Sequence, residues 1–467
     1  MTSNLGEFVP EFSKEGQGRQ FGQLKTIVSG PIPKKDAVLL HGGLPPAEAF
    51  PLISITASSA QDTTFSVPVL DAQRQYDIPA SGLPSLQAWC AQHTKQFHAP
   101  PPPLNHQTII TDGSTHALEL LTSLFLEPGD PIMVEEYTYP HFVEAICQPK
   151  QYELLPLAMD HHGIIPSSLE RLLEERKIRD LPQPRVLYTV PTGQNPTSAT
   201  TTSERKQQIY SIIRQYSNHT VIIEDDPYYY LQFSITDNCS SASTHQPGLL
   251  HLASSSSSSS NNNASFLSLD VDGRVIRLDS FAKFLAPGLR LGWATASPCI
   301  SQKLVMAVQA HTVGACMMSQ AITAALLSSL GEQGLHAHLV KTQSLYASRA
   351  AAALRAVQTH LVGRGLAEVN VPTAGMFLWV RLTPDIKRDT VELMPMFREE
   401  GVLVVPGKAA WVGGAPEEER SSGLASTQRV CLFIRLAFSN ASVEQLERGI
   451  QRIASVVERV VANANVD

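Results

Sequence analysis

A single lysine, Lys283, lies in the segment VIRLDSFAKFLAPGLRLGW, between an apolar run typical of a strand and a Pro-Gly turn. Ser280 precedes it by three residues, and Arg290 follows it by seven. A lysine whose pKa is lowered by its neighbours can form a Schiff base with an aldehyde, and the nearby serine and arginine suit a phosphate. The alternative is a solvated surface lysine at the end of a strand. The spacing therefore raises the hypothesis of a lysine kept for imine chemistry.

A second candidate site lies in the segment TDGSTHALE, where a predicted strand passes through Asp-Gly-Ser-Thr directly into a helix. The free amides at a helix N-terminus, together with the hydroxyls of Ser114 and Thr115, could bind a phosphate group. The same two residues could instead act as ordinary N-terminal caps of the helix. The local sequence leaves both interpretations open.

Three successive acids, ending with Asp225 and Asp226, close the apolar run of the segment VIIEDDPYYYLQF. Acids at the C-terminal end of a buried parallel strand lie where open α/β sheets bind their ligands. Burial of a carboxylate is costly unless a cation accompanies it, so one of these acids could pair with a protonated ring nitrogen of a cofactor. Carboxylates that face solvent at a strand end are the alternative.

Two further polar residues, Asn195 and Arg435, complete the set of candidates. Asn195 lies in the turn YTVPTGQNPTSAT, where its amide could donate to a ligand oxygen or form an Asx turn. Arg435 lies in the apolar strand CLFIRLAFS; its planar guanidinium suits a carboxylate, with a structural ion pair as the alternative. Together these segments would supply a phosphate cradle, an acid for a pyridinium, an imine-forming lysine and a carboxylate clamp. Pyridoxal phosphate (PLP) acting on an amino acid requires all four.

Strands and helices alternate around these candidate residues. Strands are predicted in QTIITDG, PIMVEE, RVLYTVP, TVIIEDD and GRVIRLDSF, and helical patterns such as STHALELLTSLFL lie between them. This alternation predicts a mainly parallel sheet with helices on both faces, which we assign to a large domain at residues 80–300. Residues 1–45 are predicted to form an N-terminal arm. Residues 46–79 and 301–467 are predicted to form a smaller α+β domain with connecting segments.

Low-complexity sequence interrupts the large domain at about residues 234–265, where SSSSSSSNNNAS cannot contribute to a core. We expect a mobile surface insertion there. A second, shorter polar interruption occupies residues 413–428.

The composition excludes several classes of protein. The chain has 467 residues, 43% of them hydrophobic and 17% charged, as expected for a globular protein. Its net charge of -7 argues against nucleic acid as a partner. The six cysteines form no C-x-x-C pair, so neither a metal site nor a disulfide framework is expected. No apolar run is long enough for a membrane span and the N-terminus is not a signal peptide, so a cytoplasmic protein is expected.

The motifs, in their order along the chain, resemble those of the class I/II aminotransferases of PLP fold type I. Within that family the sequence is most similar to the aromatic amino acid and 2-aminoadipate (kynurenine) aminotransferases. The resemblance runs from GGLP to FIRLAFS, and its most specific parts are NPT, EDDPYYYLQF, LDVDGRVIRLDSFAKFLAPGLRLGW and AGMFLW. It implies an α/β fold with a mainly parallel seven-stranded sheet between helices in the large domain, and a smaller α+β domain.

The resemblance also implies a role for each candidate. Lys283 would form the Schiff base with PLP and shuttle a proton. Asp225, rather than Asp226, would pair with the pyridine nitrogen, because the family pattern is Asp, two residues, then Tyr. The other implied cofactor contacts are Tyr228 and Asn195 at the phenolic oxygen, Ser114, Thr115, Ser280 and Arg290 at the phosphate, and Tyr139 stacked on the ring.

Substrate contacts and assembly follow from the same resemblance. Arg435 would bind the α-carboxylate of the amino acid near Asn195, with Gly43 of GGLP closing over the substrate. Tyr76 matches a tyrosine that reaches the phosphate of the neighbouring subunit, which implies a homodimer with shared active sites. The sequence departs from the family at Ser198, where glycine usually follows NPT. The N-terminal arm aligns poorly, so Arg19 is only a candidate substrate contact.

The expected activity is transamination of an amino acid, first an aromatic one and then 2-aminoadipate or kynurenine, with a 2-oxo acid such as 2-oxoglutarate. Another PLP reaction on the same fold, elimination or decarboxylation, is the alternative. A PLP-binding transcription regulator is a more remote alternative, because such proteins need a DNA-binding domain ahead of the PLP domain. The residues that select the side chain of the amino acid substrate lie in loops outside the motifs.

Overall fold

The computed structural model describes residues 8–23, 45–60, 63–235, 264–413 and 430–464. Its strands are β1 (Ile55–Ser58), β2 (Thr64–Val67), β3 (Gln107–Thr111), β4 (Pro131–Glu135), β5 (Glu153–Leu157), β6 (Met159–Asp160), β7 (Gly163–Ile164), β8 (Val186–Thr189), β9 (Val221–Asp225), β10 (Val275–Ser280), β11 (Gly292–Ala296), β12 (Ala367–Val369), β13 (Phe377–Leu382), β14 (Val405–Pro406) and β15 (Phe433–Ala437). Its helices are α1 (Lys14–Gly18), α2 (Val69–Gln73), α3 (Pro84–His98), α4 (Ser114–Phe125), α5 (Pro166–Ile178), α6 (Ser203–Tyr216), α7 (Pro298–Thr312), α8 (Met317–His360), α9 (Thr390–Glu399) and α10 (Val443–Ala464).

A seven-stranded sheet in the order β3-β11-β10-β9-β8-β4-β5 forms the centre of the molecule. The strands β10, β9, β8, β4 and β5 pair in parallel, whereas β11 runs antiparallel to both of its neighbours. Every residue of β4, β8, β9, β10 and β11 is buried, because helices cover both faces of the sheet. Helices α4 and α7 pack on one face, and α3, α5, α6 and part of α8 pack on the other. The predicted mainly parallel seven-stranded sheet is confirmed.

A second, antiparallel sheet in the order β12-β13-β15-β14 lies towards the C-terminal end of the chain. Its core is completed by α9, α10 and the C-terminal half of α8. Helix α8 is 44 residues long and serves both sheets, with a break in its helical backbone at Gly331. An apolar stripe of α10 packs into this core through Leu446, Ile450, Ile453 and Val457, whereas Val443 is exposed.

The two sheets meet where two loops touch backbone to backbone. Gly193, after β8, has φ +53°, and a Cβ atom there would lie 2.7 Å from the Gly375 nitrogen. Gly375 donates its N–H to the Leu231 carbonyl at 3.1 Å, and Phe233 donates its own to the Thr373 carbonyl at 2.8 Å. The absence of a side chain at Gly193 therefore sets how closely the two sheets approach.

The predicted insertion at residues 234–265 lies almost wholly outside the described residues, as does the 413–428 segment. The chain after the first segment is held firmly where its description resumes. The Ala264 N–H donates to the Ser203 hydroxyl at 2.9 Å, and the Lys206 ammonium donates to the Ala264 carbonyl at 2.9 Å. The buried Glu224 carboxylate then accepts the N–H groups of Phe266 and Leu267, two and three residues further on, at 2.7 and 3.2 Å.

Two features of the chain ends bear on the sequence predictions. The predicted N-terminal arm contains the short helix α1, capped by the Ser13 hydroxyl, which accepts the Gly16 N–H at 3.0 Å. In the part of the chain that the structure describes, no helix combines the length and apolar character needed to span a bilayer.

Candidate active site

Most of the predicted site residues lie at the carboxyl ends of neighbouring strands in the central sheet. Asp225 ends β9 and pairs in register with Leu278 of the adjacent β10, which ends two residues later at Ser280. Lys283 lies in the turn directly after β10. Since β3 pairs with β11 beside β10, the turn from β3 into α4 reaches the same edge. Parallel topology thus brings residues from distant segments together.

The N-terminus of α4 forms a cradle with the right chemistry for a phosphate group. Its N-cap is Gly113, at φ +93°, and Ser114 and Thr115 are the first two helical residues, so neither caps the helix. The Ser114 hydroxyl oxygen is buried and makes no hydrogen bond of normal geometry among the described residues, although it lies near enough to Asp225 to lower the pKa of that carboxyl. A Cβ atom at Gly113 would lie 3.2 Å from Nη2 of Arg290. The glycine therefore leaves room for a guanidinium beside the free helix amides.

Ser280 and Arg290 approach this cradle from the segment around the lysine. Ser280 is buried, and its hydroxyl accepts the Ala282 N–H at 3.2 Å, which tightens the turn towards Lys283. The Pro-Gly sequence forms a single 3-10 turn, Pro287–Leu289, and Arg290 ends it in the left-handed conformation at φ +50°. The chain thereby folds back and carries the exposed arginine to the start of α4.

Asp225 is a buried carboxylate that is only half satisfied. The Tyr188 hydroxyl donates to Oδ2 at 3.1 Å, but Oδ1 has no hydrogen-bond partner within the described residues. Burial, helped by the neighbouring charge of Asp226, raises the pKa of Asp225 to about 7, while the hydrogen bond from Tyr188 and the nearby Ser114 hydroxyl act in the opposite direction. Asp226 differs in that its Oδ2 accepts from Arg277 as well as from the Thr192 hydroxyl and so already has a cationic partner, although its Oδ1 is also unpartnered among the described residues. Oδ1 of Asp225 is therefore able to accept a hydrogen bond from a cationic or N–H group of a ligand.

Lys283 and Tyr228 lie on the same side of the site. The lysine is half-buried, and its Nζ lies 5.8 Å from the centre of the Tyr228 ring. Burial lowers the pKa of the Lys283 ammonium, while the charge of Asp225 opposes that shift. Burial raises the pKa of the Tyr228 phenol, which keeps its proton available as a hydrogen-bond donor. Lys283 is therefore not a fully solvated surface lysine.

Arg435 reaches the site from β15 of the second sheet. Its Nη1 donates to Oδ1 of Asn195 at 2.7 Å, and its guanidinium carbon lies 4.3 Å from the centre of the Phe377 ring. Its Nε is buried without a hydrogen-bond partner among the described residues. The partner that holds Arg435 is thus a neutral amide, so its positive charge stays available for an anionic ligand. The Asn195 side chain serves this contact rather than an Asx turn.

The other predicted residues lie around this centre or outside it. Tyr139 is half-buried after β4, and burial raises the pKa of its phenol. Tyr76, between α2 and α3, is 52% exposed. Arg19 follows α1, where its Nη2 lies 3.2 Å from Nε2 of His311. Gly43 lies outside the described residues.

Comparison with known proteins identifies the family. Residues 78–453 match the family Aminotransferase class I and II. The chain belongs to this family. The mitochondrial kynurenine/alpha-aminoadipate aminotransferase of Mus musculus is 34% identical over 439 residues, which cover 91% of this chain and 92% of the relative. An aromatic amino acid aminotransferase of Schizosaccharomyces pombe is 30% identical over 485 residues, 96% of each chain.

A solved structure extends the match to the fold. The crystal structure of the aminotransferase Aro8 from Candida albicans superposes with a TM-score of 0.83 and 28% identity, over 97% of this chain and all of that one. The resemblance to class I/II aminotransferases and the PLP fold type I architecture are both confirmed. As an aminotransferase of this family, the protein is a PLP-dependent enzyme.

The polar groups of this aminotransferase fit PLP. The unpartnered Oδ1 of Asp225 suits a protonated ring nitrogen, and the unpartnered Ser114 hydroxyl at the N-terminus of α4 suits a phosphate oxygen. Arg290 beside Gly113 adds a positive charge to the phosphate end. Among the described residues, the oxygens of Asp225 and Ser114 lack the hydrogen-bond partner that a bound cofactor would supply.

The sequence predictions missed two buried residues that support the aminotransferase site. Tyr188 is completely buried in β8, where its ring stacks on Phe142 with centroids 4.0 Å apart and its hydroxyl binds Asp225. Glu135, at the end of β4, accepts from the Thr189 hydroxyl at 2.7 Å and from Nε2 of Gln194 at 2.8 Å. It thereby anchors the turn that carries Asn195. Glu135 could have been found from the sequence, because it is an acid at the end of the predicted strand PIMVEE.

Proposed function

We propose that this aminotransferase moves the amino group of an aromatic amino acid to a 2-oxo acid such as 2-oxoglutarate. 2-Aminoadipate and kynurenine are the next candidate donors. The half-satisfied buried carboxylate of Asp225 supports the proposal most directly, since it lies at the strand ends with Lys283 and the α4 cradle. The names of the Mus musculus and Schizosaccharomyces pombe relatives support the choice of donors.

We assign the cofactor contacts by the chemistry of each group. PLP supplies an aldehyde that condenses with amines and a ring that accepts electrons. Asp225 would keep a proton on the ring nitrogen, because its ionised form gains a cationic partner there. The other proposed contacts are Ser114, Thr115, Ser280 and Arg290 at the phosphate, Tyr228 and Asn195 at the phenolic oxygen, and Tyr139 against the ring face.

Lys283 and Arg435 would act on the substrate. The lowered pKa of Lys283 favours the neutral amine, which can take a proton from the substrate α-carbon and return one. Arg435 would bind the α-carboxylate, and its hydrogen bond to Asn195 fixes the orientation of the guanidinium. Gly43 remains a proposed contact from the sequence motif. With its carboxylate bound to Arg435, the substrate would present its α-proton to Lys283.

The substitution Lys283→Ala tests the assignment of the catalytic lysine. We expect loss of turnover with every amino donor and loss of the visible absorbance of bound PLP, because the substitution removes the amine that would form the imine. Lys150→Ala is the matched control, since the Lys150 ammonium bonds Glu119 and Ser123 at the far end of α4. Normal transamination by Lys283→Ala would refute the proposal.

Initial rates with a panel of amino acids and 2-oxoglutarate test the donor and the reaction type. We expect phenylalanine, tyrosine and tryptophan to react faster than alanine or leucine. Faster reaction of alanine or leucine would contradict the proposed donor class. Product formed without any 2-oxo acid would instead indicate a PLP-dependent lyase or decarboxylase.

We also propose a homodimer in which Tyr76 completes the phosphate site of the neighbouring subunit. The exposure of Tyr76, together with exposed Leu52, Ile53 and Leu70 nearby in the chain, supports a contact surface there. Co-expression of Tyr76→Ala and Lys283→Ala subunits tests this assembly. Random pairing should restore about a quarter of the wild-type activity from two nearly inactive parents. No gain over the parents would refute shared sites. The cytoplasm is the proposed location, to be tested by fractionation.

A further inference from the structure

A cluster of buried charges lies under the strand ends, and the proposed roles do not use it. We define the Arg277 cluster as Arg277 with the carboxylates of Glu224, Asp226 and Asp279. Arg277 donates from Nε and Nη2 to the two oxygens of Asp279 at 3.0 and 2.9 Å. Its Nη1 lies 3.1 Å from Oδ2 of Asp226 and 3.3 Å from Oε2 of Glu224. All four side chains are fully buried.

The Arg277 cluster lies on the face of the sheet opposite Asp225. Arg277 pairs in register with Glu224, whereas Leu278 pairs with Asp225, and successive side chains of a strand point to opposite faces. The Tyr229 ring packs 4.9 Å from the Arg277 guanidinium on that side. The cluster therefore lies across the sheet from the proposed PLP contacts and is joined to them through the backbone, while the charge of Asp226 also acts on the pKa of Asp225.

The connection through the backbone is short. Asp226 is the residue after Asp225, and Asp279 is the residue before Ser280. By holding Asp226 and Asp279 together, the Arg277 guanidinium ties the last residues of β9 to those of β10. The two strands continue their pairing there, since the Asp226 N–H donates to the Leu278 carbonyl at 3.0 Å. One guanidinium thus sets the spacing between the ring-nitrogen end and the phosphate end of the proposed site.

Burial of four charged side chains carries a large desolvation penalty. Replacement of a buried ion cluster by apolar side chains of similar volume is often neutral or stabilising, so stability alone does not explain its presence. A fixed, bidentate geometry is what an arginine provides and apolar packing does not. Its place directly behind Asp225 and Ser280 indicates that positioning is its contribution.

We propose that Arg277 is a positioning residue for the cofactor, which clamps the ends of β9 and β10 and so fixes Asp225 relative to Ser280 and Lys283. This inference rests on the proposed function. It adds to the proposed function a role for Arg277, a side chain that would touch neither cofactor nor substrate. The clamp should act on the affinity for PLP before any substrate is bound.

The test compares two conservative arginine-to-lysine substitutions, one in β10 and one just before it. Arg277→Lys keeps the positive charge but cannot span Asp226 and Asp279 at once. Arg274→Lys is the matched control, because Arg274 is also buried and bonds Asp272 and the Ser217 carbonyl, but at the opposite ends of β9 and β10. We expect the dissociation constant of PLP from the Arg277→Lys apoenzyme to rise by about tenfold or more. For Arg274→Lys we expect a change within about twofold, even where its melting temperature falls equally.

A second variant, Asp279→Asn, keeps the proposal testable if Arg277→Lys does not fold. Asp279→Asn keeps the shape of the side chain and one acceptor oxygen, and should raise the dissociation constant by a smaller factor. Equal PLP affinities for wild type and Arg277→Lys, or equal losses in Arg277→Lys and Arg274→Lys, would overturn the clamp. So would failure of both cluster variants to fold, since the cluster would then serve the fold itself.

Affinity for PLP is measured by equilibrium dialysis of the apoenzyme, and the absorbance of the bound cofactor is recorded alongside. Neither readout depends on transamination. Wild-type protein that binds PLP but does not transaminate would refute the proposed function and leave the clamp testable by affinity. Wild-type protein that binds no PLP would overturn both.

Discussion

Replacement of Gly193 by alanine should disturb both the contact between the two sheets and the grip on the substrate. A Cβ atom there would lie 2.7 Å from the Ala374 carbonyl carbon and the Gly375 nitrogen and 2.8 Å from the Gly375 Cα, all backbone atoms that cannot rotate away. Left-handed backbone at φ +53° costs alanine about 1–2 kcal/mol. Overpacking against a fixed neighbour costs about 1–3 kcal/mol more. The sum is a loss of about 2–5 kcal/mol in the free energy of unfolding.

The control for this substitution separates strain from crowding. Gly365 also has a left-handed backbone, at φ +70°, but no heavy atom lies within 4 Å of the position of its Cβ. Gly365→Ala should therefore show only the conformational cost of about 1–2 kcal/mol. Urea unfolding, followed by fluorescence, compares the midpoints of the two variants with wild type.

Kinetics supply the second readout for Gly193→Ala. Asn195 lies two residues beyond Gly193, so a displaced loop also displaces the amide that orients Arg435. We expect kcat/KM for the amino donor to fall by about tenfold to a hundredfold, because misplacement by about 1 Å is enough for such losses. Equal unfolding midpoints for Gly193→Ala and Gly365→Ala, with wild-type kcat/KM, would refute the steric argument.

Three further predictions concern single buried or strained residues. Tyr188→Phe removes the donor to Oδ2 of Asp225, so equilibrium dialysis should show about tenfold weaker PLP binding. Ser198 has φ +55°, so Ser198→Gly should raise the free energy of unfolding by about 0.5–1 kcal/mol, measured by urea unfolding. Burial raises the pKa of Glu135 from 4.5 to about 7. Its contribution to stability is therefore full below pH 4.5 and is lost as the pH rises through about 7; it amounts to about 3 kcal/mol. Glu135→Gln should make the urea midpoint less dependent on pH across that range, and an unchanged dependence would contradict the shift.

The sequence predicted the positions that end strands better than the positions inside them. Ser114, Asp225 and Lys283 each stand where an apolar run stops, and parallel topology brings such ends to one edge whatever their distance along the chain. Arg435 stood out because a charged residue inside an apolar strand needs a reason. The α/β fold followed from the same alternation of strands and helices.

Tyr188 and Arg277 could not be assigned roles in the same way. Each is a polar side chain inside a buried strand, and its partner is chosen by the register between strands that are separated by long stretches of chain. Nothing in RVLYTVP shows that the tyrosine hydroxyl meets Asp225, 37 residues later. The hairpin of β1 and β2 and the contact between Gly193 and Gly375 depend equally on tertiary packing.

The anchoring of Ala264, Phe266 and Leu267 has a consequence for how the gene can change. Those contacts come from Ser203, Lys206 and Glu224, all of which precede residue 236 and belong to α6 and β9. They hold the returning chain whatever number of residues lies before it. Closure of a loop costs only about 0.6 kcal/mol more for each doubling of its length. Changes in the gene that lengthen or shorten the serine and asparagine run should therefore cost the protein little stability.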